Sequence, residues 1–429
     1  MTENVCENSV MKVSPGLLNG RVSVPLSKSI LHRALICAMF AGDISLADIG
    51  SDALSDDISA TRECLQNLIV RKSSQDGTIH AAAPLHLSCK ESGSTLRFLV
   101  PLSASLGIPV ILDGLGRLPD RPLAEFTAIF EGKGVSLSFP EDGKSLPLCV
   151  QGQLHGGVFR VPGNISSQYI TGLLLSLPIL PQDSEIILTS PLESEPYVEM
   201  TRDVMRAFGV ATEKTKRGYF ISGRQTYSRQ TPYKGEPDFS QAAFWLVGEY
   251  LGSHISVMPL PNESFQGDRA IVSLLSELRA YAAHPGSENS PFRVDASQIP
   301  DLVPIFSVAA AATPCVTQII RASRLRFKEC DRLMATQKIL SSLGVQIEET
   351  EDGLIIYGKD IPADKPVFTA GNIHPFHDHR MVMAAAIAAT RADGPVYISD
   401  YQATDKSYPG FFRDFRTMGG HADEFHVGE

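Results

Sequence analysis

Arg326, Lys328 and Arg332 place three cations within one short segment, Leu325 to Arg332, and Glu329 and Asp331 add two carboxylates. Leu333, Leu340 and Leu343 follow at helical spacing, and Gly344 is a stop signal. The charges are therefore expected at a helix N-terminus, where free N–H groups and the helix dipole favour an anion. Lys328 and Arg332 are four apart and share a face if the turn is formed, with Glu329 pointing elsewhere. Cations at a helix start oppose the dipole, and a bound anion would remove that conflict. The simpler alternative is a solvated charge cluster.

The same combination of helix start and anion-binding side chains recurs along the chain. Lys28, Ser29 and Arg33 open a helix that runs through Met39, with Ser27 or Ser29 as cap. Gly93, Ser94 and Thr95 precede an apolar helix, Phe98 to Leu106, and could present backbone N–H groups to a phosphate. Arg117 and Arg121 lie on a loop punctuated by glycine and proline, suited to carboxylate or phosphate. Ser166, Ser167 and Gln168 precede the helix Ile170 to Leu177, and Ser194 and Tyr197 precede Val198 to Phe208. Asp301 sits between Pro300 and Pro304, either as an N-cap or as a base at a helix mouth. Arg380 leads a helix Met381 to Ala389, and Lys406 precedes an aromatic one. Asp56 and Asp57 suit the dipole of their own helix and are assigned to capping. His374, His377 and His379 look metal-like, but Pro375 breaks their register and nothing else converges on them, so no metal is expected.

These groups must be carried by a large scaffold. A chain of 429 residues exceeds one ordinary core, which predicts two domains. A Pro/Gly-rich turn, Lys234 to Ser240, is the best boundary. Composition is that of a soluble globular protein, with 43% hydrophobic and 20% charged residues. No apolar run approaches the ~20 residues of a membrane span, and Met1 to Val13 does not read as a signal peptide. The seven cysteines, Cys6 included, are scattered without C-x-x-C, which points to reduced thiols and a cytoplasmic setting. A net charge of −10 argues against nucleic acid but not against a small anion in a local cationic site. Phe130 to Val135, Phe208 to Val210 and Leu343 to Val345 each end a helix with glycine before valine, and a hairpin follows. This repeat favours stacked α/β units over alternating parallel βαβ with a nucleotide fingerprint, and no G-x-G-x-x-G follows a strand. A long surface loop is expected over Ala283 to Pro291.

Lys28-Ser29 to Arg33, Ser94-Thr95, Arg121-Pro122, Ser166-Ser167-Gln168, Pro300-Asp301, Lys328-Glu329 to Arg332, Asp378-His379-Arg380 and Lys406 occur in one order. From about Val13 to Phe415 that order resembles the 5-enolpyruvylshikimate-3-phosphate synthases. The resemblance implies an α/β fold of two similar domains, each of three repeated helix-plus-sheet units (an inside-out α/β barrel), with a cleft between them. One domain would be discontinuous, 1–25 with 237–429, and the other would be 26–236. The implied reaction transfers the enolpyruvyl group of phosphoenolpyruvate to the 5-hydroxyl of shikimate 3-phosphate and releases phosphate, on the route to chorismate and aromatic amino acids. It implies no cofactor, no metal, no nucleic-acid or membrane partner, and a monomer.

The resemblance also distributes roles. Asp301, Glu329 and Lys28 would be catalytic. Lys28, Gly93, Arg121, Gln168, Arg332, Arg380 and Lys406 match the phosphoenolpyruvate site. Lys28, Ser29, Arg33, Ser166, Ser167, Gln168, Ser194, Tyr197, Asp301 and Lys328 match the shikimate 3-phosphate site. Glu329 would move a proton to and from the methylene carbon, and Asp301 would orient or deprotonate the attacking hydroxyl. An acid flanked by Lys328 and Arg332 donates at neutral pH only if a bound anion offsets them. Glu91, Arg324 and His377 depart from residues frequent in the family, while Gly93 matches its glyphosate-sensitive form. Two rival readings fit the residues less well. A UDP-N-acetylglucosamine enolpyruvyl transferase would need a reactive Cys between Asp113 and Arg121, where there is none. A non-catalytic binder of a phosphorylated metabolite has no use for carboxylates beside its cations.

Overall fold

A computed structural model describes residues 9–50, 54–73, 83–284, 290–359, 362 and 365–426. Cys6 and residues 285–289 of the expected surface loop lie outside the described residues, as does the start of the N-terminal segment up to residue 8. The chain begins with β1 (Ser9–Ser14), β2 (Asn19–Ser23), α1 (Lys28–Phe40), β3 (Ala47–Asp48), α2 (Asp56–Ser73), β4 (Leu85–Ser88) and α3 (Gly93–Leu106). It continues through β5 (Val110–Asp113), α4 (Glu125–Ile129), β6 (Val135–Ser138), β7 (Leu148–Gly152), β8 (Gly157–Val161), α5 (Ser167–Ser176) and β9 (Ser184–Leu188). Next come α6 (Glu195–Ala207), β10 (Glu213–Thr215), β11 (Gly218–Ile221), β12 (Tyr233–Lys234), α7 (Phe239–Tyr250), β13 (His254–Met258) and α8 (Ile271–Ala283). Then follow β14 (Phe292–Asp295), α9 (Val303–Ala311), β15 (Val316–Ile320), α10 (Arg332–Ser342), β16 (Gln346–Glu349) and β17 (Leu354–Tyr357). The last elements are β18 (Gly371–Ile373), α11 (His379–Ala389), β19 (Val396–Ser399), α12 (Phe411–Thr417) and β20 (His421–His426).

These elements form two compact units, Leu26–Glu236 and Met1–Pro25 with Pro237–Glu429. In the first unit, β4 and β5 are parallel, with α3 between them in the chain, and the β6–β7 hairpin adds to β5 antiparallel. The second sheet repeats this with β8, α5, β9, α6 and the β10–β11 hairpin. A shorter repeat pairs β12 with β3 in parallel and uses α1 and α2. The other unit repeats the scheme as β14, α9, β15, α10, β16 and β17. Its second sheet, ordered β18-β19-β1-β20, draws β1 from the opposite end of the chain. Its short repeat pairs β13 with β2 in parallel and uses α7 and α8. The structure thus extends the repeat read from sequence. The helix and hairpin are there, and each of the four long repeats also opens with a parallel βαβ crossover.

The crossover helices form the interior. Every residue of α9 and α11 is buried, as expected of a helix that is apolar all round. In one unit α3 packs on α5, and in the other α7, α9 and α11 pack on one another. The sheets wall these helices on the outside. In β7, Leu148 and Val150 are buried while Cys149 between them is only partly so, which is the alternation of a sheet covered on one face. This is the inside-out α/β arrangement. A crossover helix starts at the carboxyl end of its first strand, the end where open α/β sheets hold ligands.

Candidate active site

In the Leu26–Glu236 unit the residues of interest gather at helix starts. Lys28 is the first residue of α1, and its Nζ lies 2.7 Å from Asp57 Oδ2. The sequence alone assigns Asp57 to capping. It does lie in the first turn of α2, but its carboxylate, only 7% exposed, is the partner of the Lys28 ammonium. A poorly solvated charge needs such a partner. Ser27, rather than Ser29, takes the N-cap position of α1, without a side-chain hydrogen bond. The Ser29 carbonyl accepts from Arg33 Nη1 at 2.5 Å. Arg33 also donates through Nε to Thr201 Oγ1 (2.7 Å) and through Nη2 to the Tyr197 carbonyl (3.0 Å) and Thr171 Oγ1 (3.4 Å). Most of its five N–H donors therefore tie α1 to α5 and α6.

Helix α3 begins at Gly93 rather than Phe98, because Ser92 caps it: Ser92 Oγ accepts from Thr95 N at 3.2 Å. That bond occupies the Thr95 N–H, which had been expected to face an anion. The N–H groups of Gly93 and Ser94 remain at the helix start, where the helix offers no carbonyl of its own. Gln168, the second residue of α5, donates Nε2 to Ser94 Oγ at 2.9 Å and accepts at Oε1 from Arg97 Nη1 at 2.9 Å. Ser166 caps α5 by accepting from Gln168 N at 3.3 Å, and Ser167 opens the helix, nearly buried. A Cβ on Gly93 would stand 2.6 Å from Arg121 Nη1 and 3.1 Å from Arg97 Nη1, so two guanidiniums converge on this helix start. Arg97 was missed in the sequence. It is buried and also holds the Pro122 carbonyl at 3.0 Å, which fixes the loop bearing Arg121. Ser194 takes the N-cap position of α6 at φ +54°, a strained conformation for a residue other than glycine, and Tyr197 lies in the first turn.

In the other unit one guanidinium organises the site. Arg332, 1% exposed, donates Nε to Asp378 Oδ2 (2.7 Å), Nη1 to Asp301 Oδ1 (2.8 Å) and Nη2 to Glu329 Oε2 (2.7 Å). Two expectations fail here. Helix α10 starts only at Arg332, with Asp331 as its cap, so Lys328 is extended rather than helical. Glu329 does not point away but is bound to Arg332. Lys328 still meets Arg332, because its Nζ lies 3.3 Å from the same Asp301 Oδ1. Arg326 turns outward to Asp331 and Glu349 and takes no part. Arg380 completes the cluster, with Nη2 3.1 Å from Asp301 Oδ2. Asp378, which the sequence reading gave no role, caps α11 by accepting from Arg380 N at 2.8 Å and so aligns both arginines.

Burial would raise the Asp301 carboxyl, but Arg380, Lys328 and Arg332 outweigh it and hold the group well below the usual carboxylate range. Burial pushes Lys328 down, opposed by Asp301. Asp268 is pushed up to about 6, by burial first and then by Asp301, against Arg380 and the Ser240 hydroxyl that donates to it. Asp301 is therefore no N-cap. It lies on a 3₁₀ turn before α9, and its side chain is a clasp for three cations. Lys406 is buried at the end of another 3₁₀ turn, Tyr401–Lys406.

Of the departures, Glu91 would meet a Cβ on Gly116, Arg324 Nη2 donates to the Ser297 carbonyl at 2.8 Å, and His377 Nδ1 lies 2.6 Å from Asp400 Oδ2. His374 accepts from Phe376 N at 3.0 Å and meets the His377 ring edge-on at 5.7 Å, while His379 is buried at the start of α11. Among the described residues, no group of three His, Cys, Asp or Glu could hold a metal, and no helix is long and apolar enough to cross a membrane.

A family model described as EPSP synthase (3-phosphoshikimate 1-carboxyvinyltransferase) matches residues 13–415. The chain belongs to the EPSP synthase family. The match takes in both units and all the clusters above. Among curated relatives in the EPSP synthase family, the 3-phosphoshikimate 1-carboxyvinyltransferase of Clostridium kluyveri is 40% identical over 98% of this chain and 99% of its own. That of Clostridioides difficile is 39% identical, with the same coverage. Among solved structures, EPSP synthase from Acinetobacter baumannii covers 97% of this chain and 100% of its own at a TM-score of 0.74 and 21% identity. The enolpyruvyl transferase NikO from Streptomyces tendae reaches a TM-score of 0.69 at 15% identity, over 98% of this chain and 99% of its own. At these identities the structural likeness speaks for the fold.

Proposed function

We infer that this chain transfers the enolpyruvyl group of phosphoenolpyruvate to the 5-hydroxyl of shikimate 3-phosphate and releases phosphate. The observation that carries the reading, beside family membership, is the Asp301 clasp. A carboxylate gripped by Lys328, Arg332 and Arg380 stands next to a second carboxylate, Glu329, held by Arg332. Binding an anion calls for the cations alone, whereas moving protons at a hydroxyl and at a carbon calls for the two carboxylates as well.

In this reading Lys28, Gly93, Arg121, Gln168, Arg332, Arg380 and Lys406 serve phosphoenolpyruvate. Ser29, Arg33, Ser166, Ser167, Ser194, Tyr197, Asp301 and Lys328, with Lys28 and Gln168, serve shikimate 3-phosphate. For Arg33 the described bonds favour shaping that site over direct contact. The substrate hydroxyl oxygen attacks C2 of phosphoenolpyruvate while Glu329 protonates C3. The C2–O bond to phosphate then breaks, a methyl proton returns to Glu329, and the hydroxyl proton leaves with phosphate. Asp301 first accepts the hydroxyl hydrogen bond. Its cations make it a poor base, and anions arriving at Lys328 and Arg380 draw them away and restore its basicity. The enzyme acts as a monomer in the cytoplasm. The free thiols Cys37, Cys64, Cys89, Cys149, Cys315 and Cys330 fit a reducing compartment.

Single-turnover kinetics of Glu329→Gln test the proton transfer. The account expects a loss of about a hundredfold or more in the chemical step, the usual size of general acid–base catalysis. Full activity in that variant would rule Glu329 out as the carbon acid.

A further inference from the structure

Helices α1, α2 and α3 are joined by a buried chain of polar groups that the reaction scheme does not use. His32 Nδ1 lies 2.7 Å from Thr61 Oγ1, Thr61 Oγ1 lies 2.6 Å from Thr95 Oγ1, and Thr95 Oγ1 lies 2.7 Å from Ser92 Oγ. Each of the four side chains is 1% exposed. His32 Nε2 is buried without a hydrogen-bond partner. A buried N–H lacking an acceptor is worse than a bare lone pair, so the network assigns the proton to Nδ1. The donors then run one way: His32 N–H to Thr61, the single Thr61 O–H forked between Thr95 Oγ1 and the Asp57 carbonyl, Thr95 O–H to Ser92. Burial first, then Lys28 and Arg33 against Asp57, bring His32 down to about 3, so the ring stays neutral and the chain keeps its direction at working pH.

Two members of this chain, Thr61 and Ser92, meet the candidate site. Thr61 Oγ1 lies 3.2 Å from the carbonyl of Asp57, the residue whose carboxylate holds Lys28. Ser92 is the N-cap that sets the first turn of α3 and with it Gly93 and Ser94. We propose that His32, Thr61 and Thr95 are positioning residues that fix the start of α3 relative to Lys28, and so set affinity for the phosphate-bearing enolpyruvyl donor but not for its acceptor. The proposal rests on the reading that Gly93, at the start of α3, serves phosphoenolpyruvate alone, whereas Lys28 and Gln168 serve both substrates. None of the three touches the reacting atoms. Their effect passes through the helix start, where a small displacement redirects two N–H groups.

Thr61→Val removes the hydroxyl at nearly constant volume, and Thr61→Ser restores it. In steady-state assays of the full chain, Thr61→Val and His32→Asn are expected to raise KM for phosphoenolpyruvate about tenfold, the effect of one buried hydrogen bond. KM for shikimate 3-phosphate should stay within about twofold, and Thr61→Ser should return the phosphoenolpyruvate KM close to wild type. A fall in kcat with both KM values unchanged, a parallel rise in both, or a Thr61→Ser variant as poor as Thr61→Val would overturn the proposal. Amide hydrogen exchange tests the relay without turnover: Thr61→Val should speed exchange at residues 93–96, and unchanged exchange there would overturn it. Failure of the underlying reading shows elsewhere, as wild-type enzyme that releases no phosphate when given both substrates.

Discussion

Arg332 donates to three carboxylates with one buried guanidinium, and Asp301 in turn receives three cations. Such buried ion clusters are weak contributors to stability, because desolvation offsets most of the attraction. Their presence here is better explained by chemistry, since the cluster keeps Asp301 ionised and Glu329 oriented until anions compete for the cations. Gly93 is the counterpart in the other unit. A methyl there would press on Arg121 Nη1 at 2.6 Å, and the guanidinium would have to shift out of its place. Gly93→Ala is therefore expected to raise KM for phosphoenolpyruvate about tenfold or more through a weakened charged hydrogen bond. The wild-type enzyme, with no side chain at Gly93 to displace Arg121, should be inhibited by glyphosate in competition with phosphoenolpyruvate at micromolar levels. Absence of such competition, or an unchanged KM in Gly93→Ala, would show that the start of α3 does not bind the donor.

At the scale of elements, the helix starts were legible and their partners were not. Caps, glycines and adjacent charges are local signals, so Lys28, Gly93, Gln168 and Arg332 stood out. Asp57, Arg97 and Asp378 act through contacts 29, 71 and 46 residues away in sequence, which no local pattern reveals. The start of α3 was placed too late because Phe98 begins its apolar run, whereas the helix obeys its Ser92 cap. The first strands of the repeats escaped because β4, β14 and β18 are short and their pairing is non-local. Two buried groups give the elements opposite pH responses. His32 is charged below pH 6.5 when unfolded but neutral down to about 3 when folded. Its contribution to stability is full above pH 6.5 and falls as pH drops, by about 1.4 kcal/mol per unit. Asp268, raised from 3.8 to about 6, destabilises the fold as pH rises through that window. Urea unfolding between pH 4 and 6 should therefore show His32→Asn gaining on wild type as pH falls and Asp268→Asn gaining as pH rises. Parallel curves for all three proteins would contradict both assignments.

At the scale of the molecule, the described elements resolve into six repeats with two helices each, three to a unit. The chain is threaded so that β1 and β20 complete one sheet from opposite termini, and one repeat in each unit keeps only a two-stranded sheet. That threading explains why the sequence showed three glycine–valine helix ends and not six: the two short repeats lack a hairpin, and the repeat completed by β1 has its hairpin split between the termini. In the proposed reading the helix starts of each unit serve anions, and proton transfer belongs to the Asp301–Glu329 cluster. The most direct measurement is phosphate release from phosphoenolpyruvate by wild type and Glu329→Ala, with and without shikimate 3-phosphate. The account predicts release that requires shikimate 3-phosphate and falls at least about a hundredfold in Glu329→Ala. Release supported by UDP-N-acetylglucosamine instead, no release with either acceptor, or undiminished release in the variant would contradict it.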